Sequence, residues 1–225
     1  MPEAFADRGT LYFFFDYISH NAYLAWQRVP TLAKRHGLEF EPVPVLFAAM
    51  LNHHQQVGPG ELPPKRDWML RNVLRKAQLL GVPLNPPHTH PFNPLWPLRV
   101  SHTPLARESR FALIDALFRA TWAQSRAVSE PAVVKEVVAE CGLPAELLER
   151  AQDASVKAAL REATDAALAR GVFGVPTMLV RGEVFWGYDD LPYLEMFLDG
   201  KDVLPQDRAL FERWAAVRPS AERRK

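Results

Sequence analysis

Thr10-Leu11-Tyr12-Phe13-Phe14-Phe15-Asp16-Tyr17-Ile18-Ser19-His20-Asn21-Ala22 is the stretch on which the fold turns. The unbroken apolar, largely aromatic run Thr10–Asp16 suits a strand buried on both faces, where no polar alternation is needed. Ser19-His20-Asn21 interrupts it. From Ala22 to His36 the apolar residues Tyr23, Leu24, Trp26, Val29, Leu32 and Ala33 fall at helical spacing. Pro30 lies inside that pattern and predicts a kink, and Gly37 supplies the residue favoured just past a helix end. Leu38–Leu46 then alternates loosely as a second strand. Strand, helix, strand in this order makes a βαβ unit.

The character changes between Phe47 and about Arg170. Helical patterns are expected over Arg66–Leu80, from Thr103-Pro104 to about Arg126, over Glu130–Cys141 and over Ser155–Arg170, the first and last two stopped by Gly81, Gly142 and Gly171. The proline-rich stretch Val82–Pro97 reads as an irregular loop. Strand signals return beyond Gly171, where Thr177–Val180 and Glu183–Trp186 flank the two-residue turn Arg181-Gly182. Tyr188–Leu198 is an amphipathic helix, and Gln206–Val217 a further helical piece. The order βαβ, helical block, ββα is that of an α/β thioredoxin-like fold carrying a large α-helical insertion. Residues 10–46 with 171–200 form a discontinuous thioredoxin-like domain, 47–170 the inserted helical domain, and 201–225 a tail.

Composition narrows the partners. The chain has 225 residues, with 27 basic against 26 acidic side chains and a formal net charge of +1. That balance gives no field to gather nucleic acid or an anionic membrane. The basic end Glu222-Arg223-Arg224-Lys225 reads as a solvated, frayed terminus. Met1–Arg8 carries Glu3 and Asp7, Leu11–Phe15 is too short for a signal core, and no stretch approaches the ~20 apolar residues of a membrane helix. Cys141 is the single cysteine, so neither an internal disulfide nor a thiolate metal cluster can form. The expectation is a soluble, cytoplasmic protein in a reducing compartment, with Cys141 a small buried side chain.

In a thioredoxin-like fold the functional spot is the turn between the first strand and the first helix, where unpaired N–H groups stabilise a thiolate. Oxidoreductases place Cys-x-x-Cys there; this chain has Ser19-His20-Asn21-Ala22. Thiol–disulfide exchange by the protein itself is therefore excluded. Ser19 reads either as a helix cap or as a hydrogen-bond donor to a thiolate carried by a ligand. His20 reads either as an acid or base near neutral pH or as a ring projecting into solvent. Pro176 heads a strand; a cis proline at this point would leave the backbone of Val175 free to pair with a peptide-like ligand such as glutathione. His53-His54 and His88-x-His90 lack the spacing of a ligand set and predict no metal site. Of the aromatics Trp68, Trp96, Phe111, Phe118 and Trp122, most belong to the core by spacing, with Trp68 and Trp96 left as candidates to line a cleft.

The segments Phe15-Asp16-Tyr17-Ile18-Ser19, Pro63-Pro64-Lys65-Arg66, His90-Pro91-Phe92-Asn93-Pro94-Leu95, Gly171-Val172-Phe173-Gly174-Val175-Pro176-Thr177 and Phe185-Trp186-Gly187-Tyr188-Asp189-Asp190-Leu191 together resemble the bacterial 2-hydroxychromene-2-carboxylate isomerases. These group with the kappa-class glutathione transferases in the DsbA-like superfamily. The resemblance spans roughly Leu11 to Leu198 with the motifs in order. It implies glutathione as cosubstrate, a small aromatic substrate, and a homodimer. It implies that the glutathione thiolate adds to a conjugated double bond, the bond rotates, and the thiolate leaves. Ser19 matches the serine that activates the sulfur. Val175, before a cis Pro176, matches the residue whose backbone pairs with the cysteinyl part. Asp189, with its neighbour Tyr188, matches the acid that holds the γ-glutamyl amino group. Lys65 matches a lysine near the carboxylate end, and Asn93 an asparagine over the substrate pocket; Trp68 is added as a cleft aromatic. The chain departs from the family at His20, where proline is usual, and at Ala22. Gln55 or Gln56 stands for an asparagine, and Asp190 for the arginine that follows the acid. A kappa-like transferase and a non-catalytic thioredoxin-like binding protein are the alternatives.

Overall fold

The computed structural model describes residues 4–204 and 208–218. Among the described residues four strands form one sheet in the order β2-β1-β3-β4. β1 (Thr10–Phe15) pairs in parallel with β2 (Glu39–Pro44); β3 (Thr177–Val180) runs antiparallel to β1, and β4 (Glu183–Trp186) antiparallel to β3. β1 is central, and its side chains divide as a pleat requires. Leu11, Phe13 and Phe15 enter the larger core with Trp26, Phe40 and Phe118, while Phe14 joins Val43, Met50, Val172 and Leu179 on the opposite face. Both faces are covered, which is why the run reads as continuously apolar.

β2 carries Pro42 and Pro44 and lies at a sheet edge, where a missing N–H is tolerated. The helical block covers that edge. From α6 (Arg107–Trp122), Arg107 and Arg110 donate to the Phe40 and Pro42 carbonyls at 2.5 and 2.6 Å, and His102 Nε2 donates to the Pro44 carbonyl at 2.9 Å. At the other end of the sheet, Arg181 and Gly182 have φ of 53° and 89°, the two positive values a tight primed hairpin needs.

The helix expected over Ala22–His36 is two helices, α1 (His20–Trp26) and α2 (Val29–Arg35), broken at Gln27-Arg28. Pro30 sits in the first turn of α2, where its absent N–H costs no helical bond, so it opens a new helix and does not kink an old one. In the inserted block α3 (Phe47–His53) is followed by one 3-10 turn, Pro59–Glu61, and by α4 (Pro63–Leu80). The irregular segment expected to reach Pro97 gives way to α5 (Leu95–Val100). Thr103 does not cap the next helix; its hydroxyl donates to the Val100 carbonyl at 2.6 Å and closes α5, and α6 starts at Arg107. α7 (Pro131–Glu140), a single turn α8 (Leu147–Arg150) and α9 (Ala154–Ala169) complete the block. A 3-10 turn at Tyr188–Asp190 precedes α10 (Leu191–Leu198), in place of one continuous helix. α11 (Arg208–Ala215) falls inside the expected Gln206–Val217, although Gln206 and the basic residues 222–225 lie outside the described residues. Among the described residues no helix is long and apolar enough to cross a membrane.

Candidate active site

The chain leaves β1 through Asp16, Tyr17 and Ile18, and each is tied to a remote element. The Asp16 carboxylate accepts the N–H of Ile18 at 3.1 Å and that of Phe47, the first residue of α3, at 3.0 Å. Its backbone carbonyl accepts the Ser19 N–H at 3.1 Å. Asp16 is fully buried, and burial pushes its carboxyl up to about 7 against the lowering effect of the N–H donors. Tyr17 is buried as well. Ser101 spends its proton on the Pro97 carbonyl, so the Tyr17 hydroxyl donates to Ser101 Oγ at 2.7 Å. Trp122 Nε1 donates to the Tyr17 carbonyl at 2.9 Å, and His90 Nε2 donates to the Ile18 carbonyl at 3.1 Å. His90 is a rim residue whose neighbours nevertheless desolvate the ring and lower its pKa.

Ser19 follows, as the N-cap of α1. Its backbone is extended and its Oγ accepts the Ala22 N–H at 3.1 Å. Capping does not exhaust the hydroxyl, whose proton, among the described residues, faces only the Val175 carbonyl at a long 3.5 Å. The cap and donor readings of Ser19 are thus compatible in one geometry. Across from it the Val175–Pro176 peptide bond is cis, and the Pro176 carbonyl accepts the Gly187 N–H at 2.8 Å. Gly174 lets the Trp186 indole pack close: a Cβ would stand 2.6 Å from Trp186 Nε1, and the indole would have to shift.

His20 corrects the expectation of a ring near neutrality or in solvent. It is 6% exposed, its ring lies edge-on to Trp122 at 5.7 Å between centroids, and its Nδ1 is buried with no partner. Burial, with His90 and Lys76 nearby, lowers its pKa to about 4, so the imidazole is neutral at physiological pH.

The 3-10 turn after β4 brings Tyr188 and Asp189 to the same end of α1. Lys76 of α4 meets them there. Its Nζ lies 2.7 Å from Asp189 Oδ2, 3.4 Å from Asn21 Oδ1 and 5.3 Å from the centre of the Tyr188 ring. Asp190 turns away, its Oδ2 accepting the Trp186 N–H at 2.9 Å. Its carboxylate therefore holds the turn against β4, and Lys76 supplies a positive charge beside Asp189.

The other expected site residues lie on the outer side. Lys65 and Trp68 are exposed in the first turns of α4, and Gln56 is exposed in the segment before it. Asn93 is exposed, and its Oδ1 accepts the Leu95 N–H at 3.1 Å, starting α5. Trp96 lines a groove of about 320 Å³ with Lys135, Glu146 and Glu149, in which Ser19 takes no part. Phe118 and Trp122 belong to the core, and Cys141 is half-buried with its thiol toward the Ala112 carbonyl. Among the described residues no three His, Cys, Asp or Glu side chains gather as a metal-binding group. Sequence reasoning gives no role to Lys76, His90 or Asp16. Asp16 does carry a signal, an acid ending a strand buried on both faces; a lysine in mid-helix gives none.

The model of the DsbA-like thioredoxin domain matches residues 10–199. The 2-hydroxychromene-2-carboxylate isomerase of Pseudomonas putida is 32% identical over 188 residues, covering 81% of this chain and 91% of that protein. The glutathione S-transferase kappa 2 of Caenorhabditis elegans is 28% identical over 210 residues, covering 85% of this chain and 92% of its own length. A solved 2-hydroxychromene-2-carboxylate isomerase superposes with a TM-score of 0.79 at 28% identity, over 89% of this chain and 98% of that one. A DsbA-like thioredoxin fold in which Ser19 replaces the redox cysteine defines the class, and within it the chain belongs to the 2-hydroxychromene-2-carboxylate isomerase family. Its relatives support an enzymatic role akin to that family's.

Proposed function

We propose that this protein is a glutathione-dependent cis–trans isomerase acting on an aromatic pyruvate of the 2-hydroxychromene-2-carboxylate kind. The observation that carries the reading is Ser19, a capping serine at the redox position whose proton has only a distant carbonyl to face. Relatives named as isomerases of that compound and as a kappa glutathione transferase support it.

The residues present fit a peptide thiol. A serine donor stands opposite a cis-proline loop, and an exposed carboxylate, Asp189, lies near the same N-terminal end of α1. Bound glutathione would supply the nucleophilic thiol that the Ser19 turn lacks. Ser19 directs its hydroxyl proton to the sulfur and favours the anion. Val175 and Pro176 offer main-chain pairing to the cysteinyl part, Tyr188 and Asp189 take the γ-glutamyl end, and Lys65 and Gln56 serve the opposite carboxylate. Asn93 and Trp68 flank the aromatic substrate. His20 stands beside the reacting groups as a neutral imidazole and adds no competing charge. Holding both reactants in one cleft supplies the proximity contribution.

Calorimetric titration of glutathione into the wild type, Ser19→Ala and Asp189→Ala proteins tests this reading. Saturable binding that Asp189→Ala loses is expected; no binding at millimolar glutathione overturns it. The C. elegans relative favours a second reading, a kappa-like transferase. Product analysis separates the two, because a stable glutathione conjugate accumulates only under the second.

A further inference from the structure

Lysine is among the side chains least often buried, and a buried ammonium persists only where it is paired. Lys76 is 8% exposed, so its position calls for a reason. Its partner does not supply all of it. Asp189 keeps seven-tenths of its side chain in solvent and engages Lys76 through Oδ2. An ammonium has three donors. One goes to Asp189 at 2.7 Å, a second makes a long contact with Asn21 at 3.4 Å, and the Tyr188 ring flanks the group. The result is a fixed cation and a largely solvated anion side by side, next to the first turn of α1, which Ser19 caps.

Such a pair is complementary to a zwitterion. A free amino acid head carries an ammonium and a carboxylate on one carbon, so the two charges arrive together and in the right separation for two neighbouring opposite charges. We propose that Lys76 and Asp189 form a clamp for the α-amino-carboxylate of the γ-glutamyl residue, with Lys76 on the carboxylate and Asp189 on the ammonium. This deepens the glutathione reading and rests on it. It assigns to Lys76 the discrimination of a γ-glutamyl tripeptide from smaller thiols.

The placement of Lys65 fits the same ligand. Lys65 and Lys76 are eleven positions apart on α4. At 100° per residue they share a face, separated by roughly 16 Å along the axis. A helix carrying a cation at each end of one face suits an extended tripeptide with a carboxylate at each end. A merely structural Lys76, tying α4 to the Tyr188–Asp190 turn, has no such requirement.

The test is isothermal titration with three probes: glutathione, its analogue with the γ-glutamyl α-carboxylate converted to the carboxamide, and cysteinylglycine. Wild type is expected to prefer glutathione over the carboxamide by about 10- to 100-fold, the loss that accompanies one charge-assisted hydrogen bond. In Lys76→Met that preference is expected to fall below about threefold, glutathione itself weakening toward the carboxamide's affinity. Equal affinity of wild type for glutathione and its carboxamide overturns the clamp without any variant, so the clamp can fail even if Lys76→Met does not fold. Equal weakening of all three probes in a folded Lys76→Met assigns Lys76 to structure and overturns it too. In both of those cases glutathione still binds wild type and the parent reading survives; no binding of glutathione to wild type removes both.

Discussion

At the Ser19 end of the site, Asp16, Tyr17 and Ile18 are each hydrogen-bonded to a group from a distant element, whereas at the outer end Lys65, Gln56, Trp68 and Asn93 stand exposed. The inner end is braced by α3, by α6 and by the segments carrying His90 and Ser101. The rim is a few side chains on the first turns of α4 and at the start of α5. Under the proposed function the Ser19 hydroxyl meets one sulfur atom, a task that needs fixed geometry, and the inner end is the braced one. On the same proposal the exposed side chains at the outer end would meet a substrate's outer parts, where less exact placement is needed.

Four predictions sharpen this contrast. Ser19→Ala is expected to lower kcat/KM for glutathione-dependent isomerisation by about 10²–10³-fold, as for one lost anion-hole donor; a rate within a few-fold of wild type breaks the inner-end assignment. The same change removes a cap and should cost about 1 kcal/mol in a denaturant melt. Trp122→Phe keeps an aromatic side chain but deletes the donor to the Tyr17 carbonyl along with part of the indole, and is expected to cost at least about 1–3 kcal/mol. Loss of protection at the Ser19 amide in hydrogen exchange would mark where that cost falls.

The third prediction is electrostatic. The Asp16 carboxyl is held near 7 in the folded protein, above its unfolded value of about 3.9. Between those values the native state binds the extra proton. Its contribution to stability is therefore complete below about pH 4 and is lost as pH rises through about 7. Carbon-detected NMR of the Asp16 carboxyl should give a midpoint near 7, and Asp16→Asn should flatten the stability slope over that window. The smallest effect belongs to the rim. Lys65→Ala and Trp68→Ala should change stability by no more than about 0.5 kcal/mol in the same melts, being surface substitutions.

The elements that the sequence disclosed are those whose pattern is local. The aromatic run of β1 and the Arg181-Gly182 hairpin declare themselves through composition and backbone freedom, and both stand where expected. α3, α5 and α8 have seven, six and four residues, too few for a helical period to show. Ser19, Val175 and Pro176 were legible because the thioredoxin topology says which turn and which strand start face each other. Lys76 was not, because within α4 it looks like any lysine on an amphipathic helix. Only packing against α1 and the Tyr188–Asp190 turn buries it. His20 shows the same limit from the other side, since its sequence position fixed its place on α1 but not the burial that makes it neutral.

The groups that brace the turn come late in the chain. Trp122 and Ser101 lie 105 and 84 positions from Tyr17, and His90 lies 72 from Ile18. A chain lengthening from its N-terminus makes Ser19 early and those three much later. Loops of such length close only when the completed core repays their entropy. A chain ending before Ser101 and Trp122 would carry the serine without the groups that brace its turn, and the proposed thiol chemistry would lack its geometry.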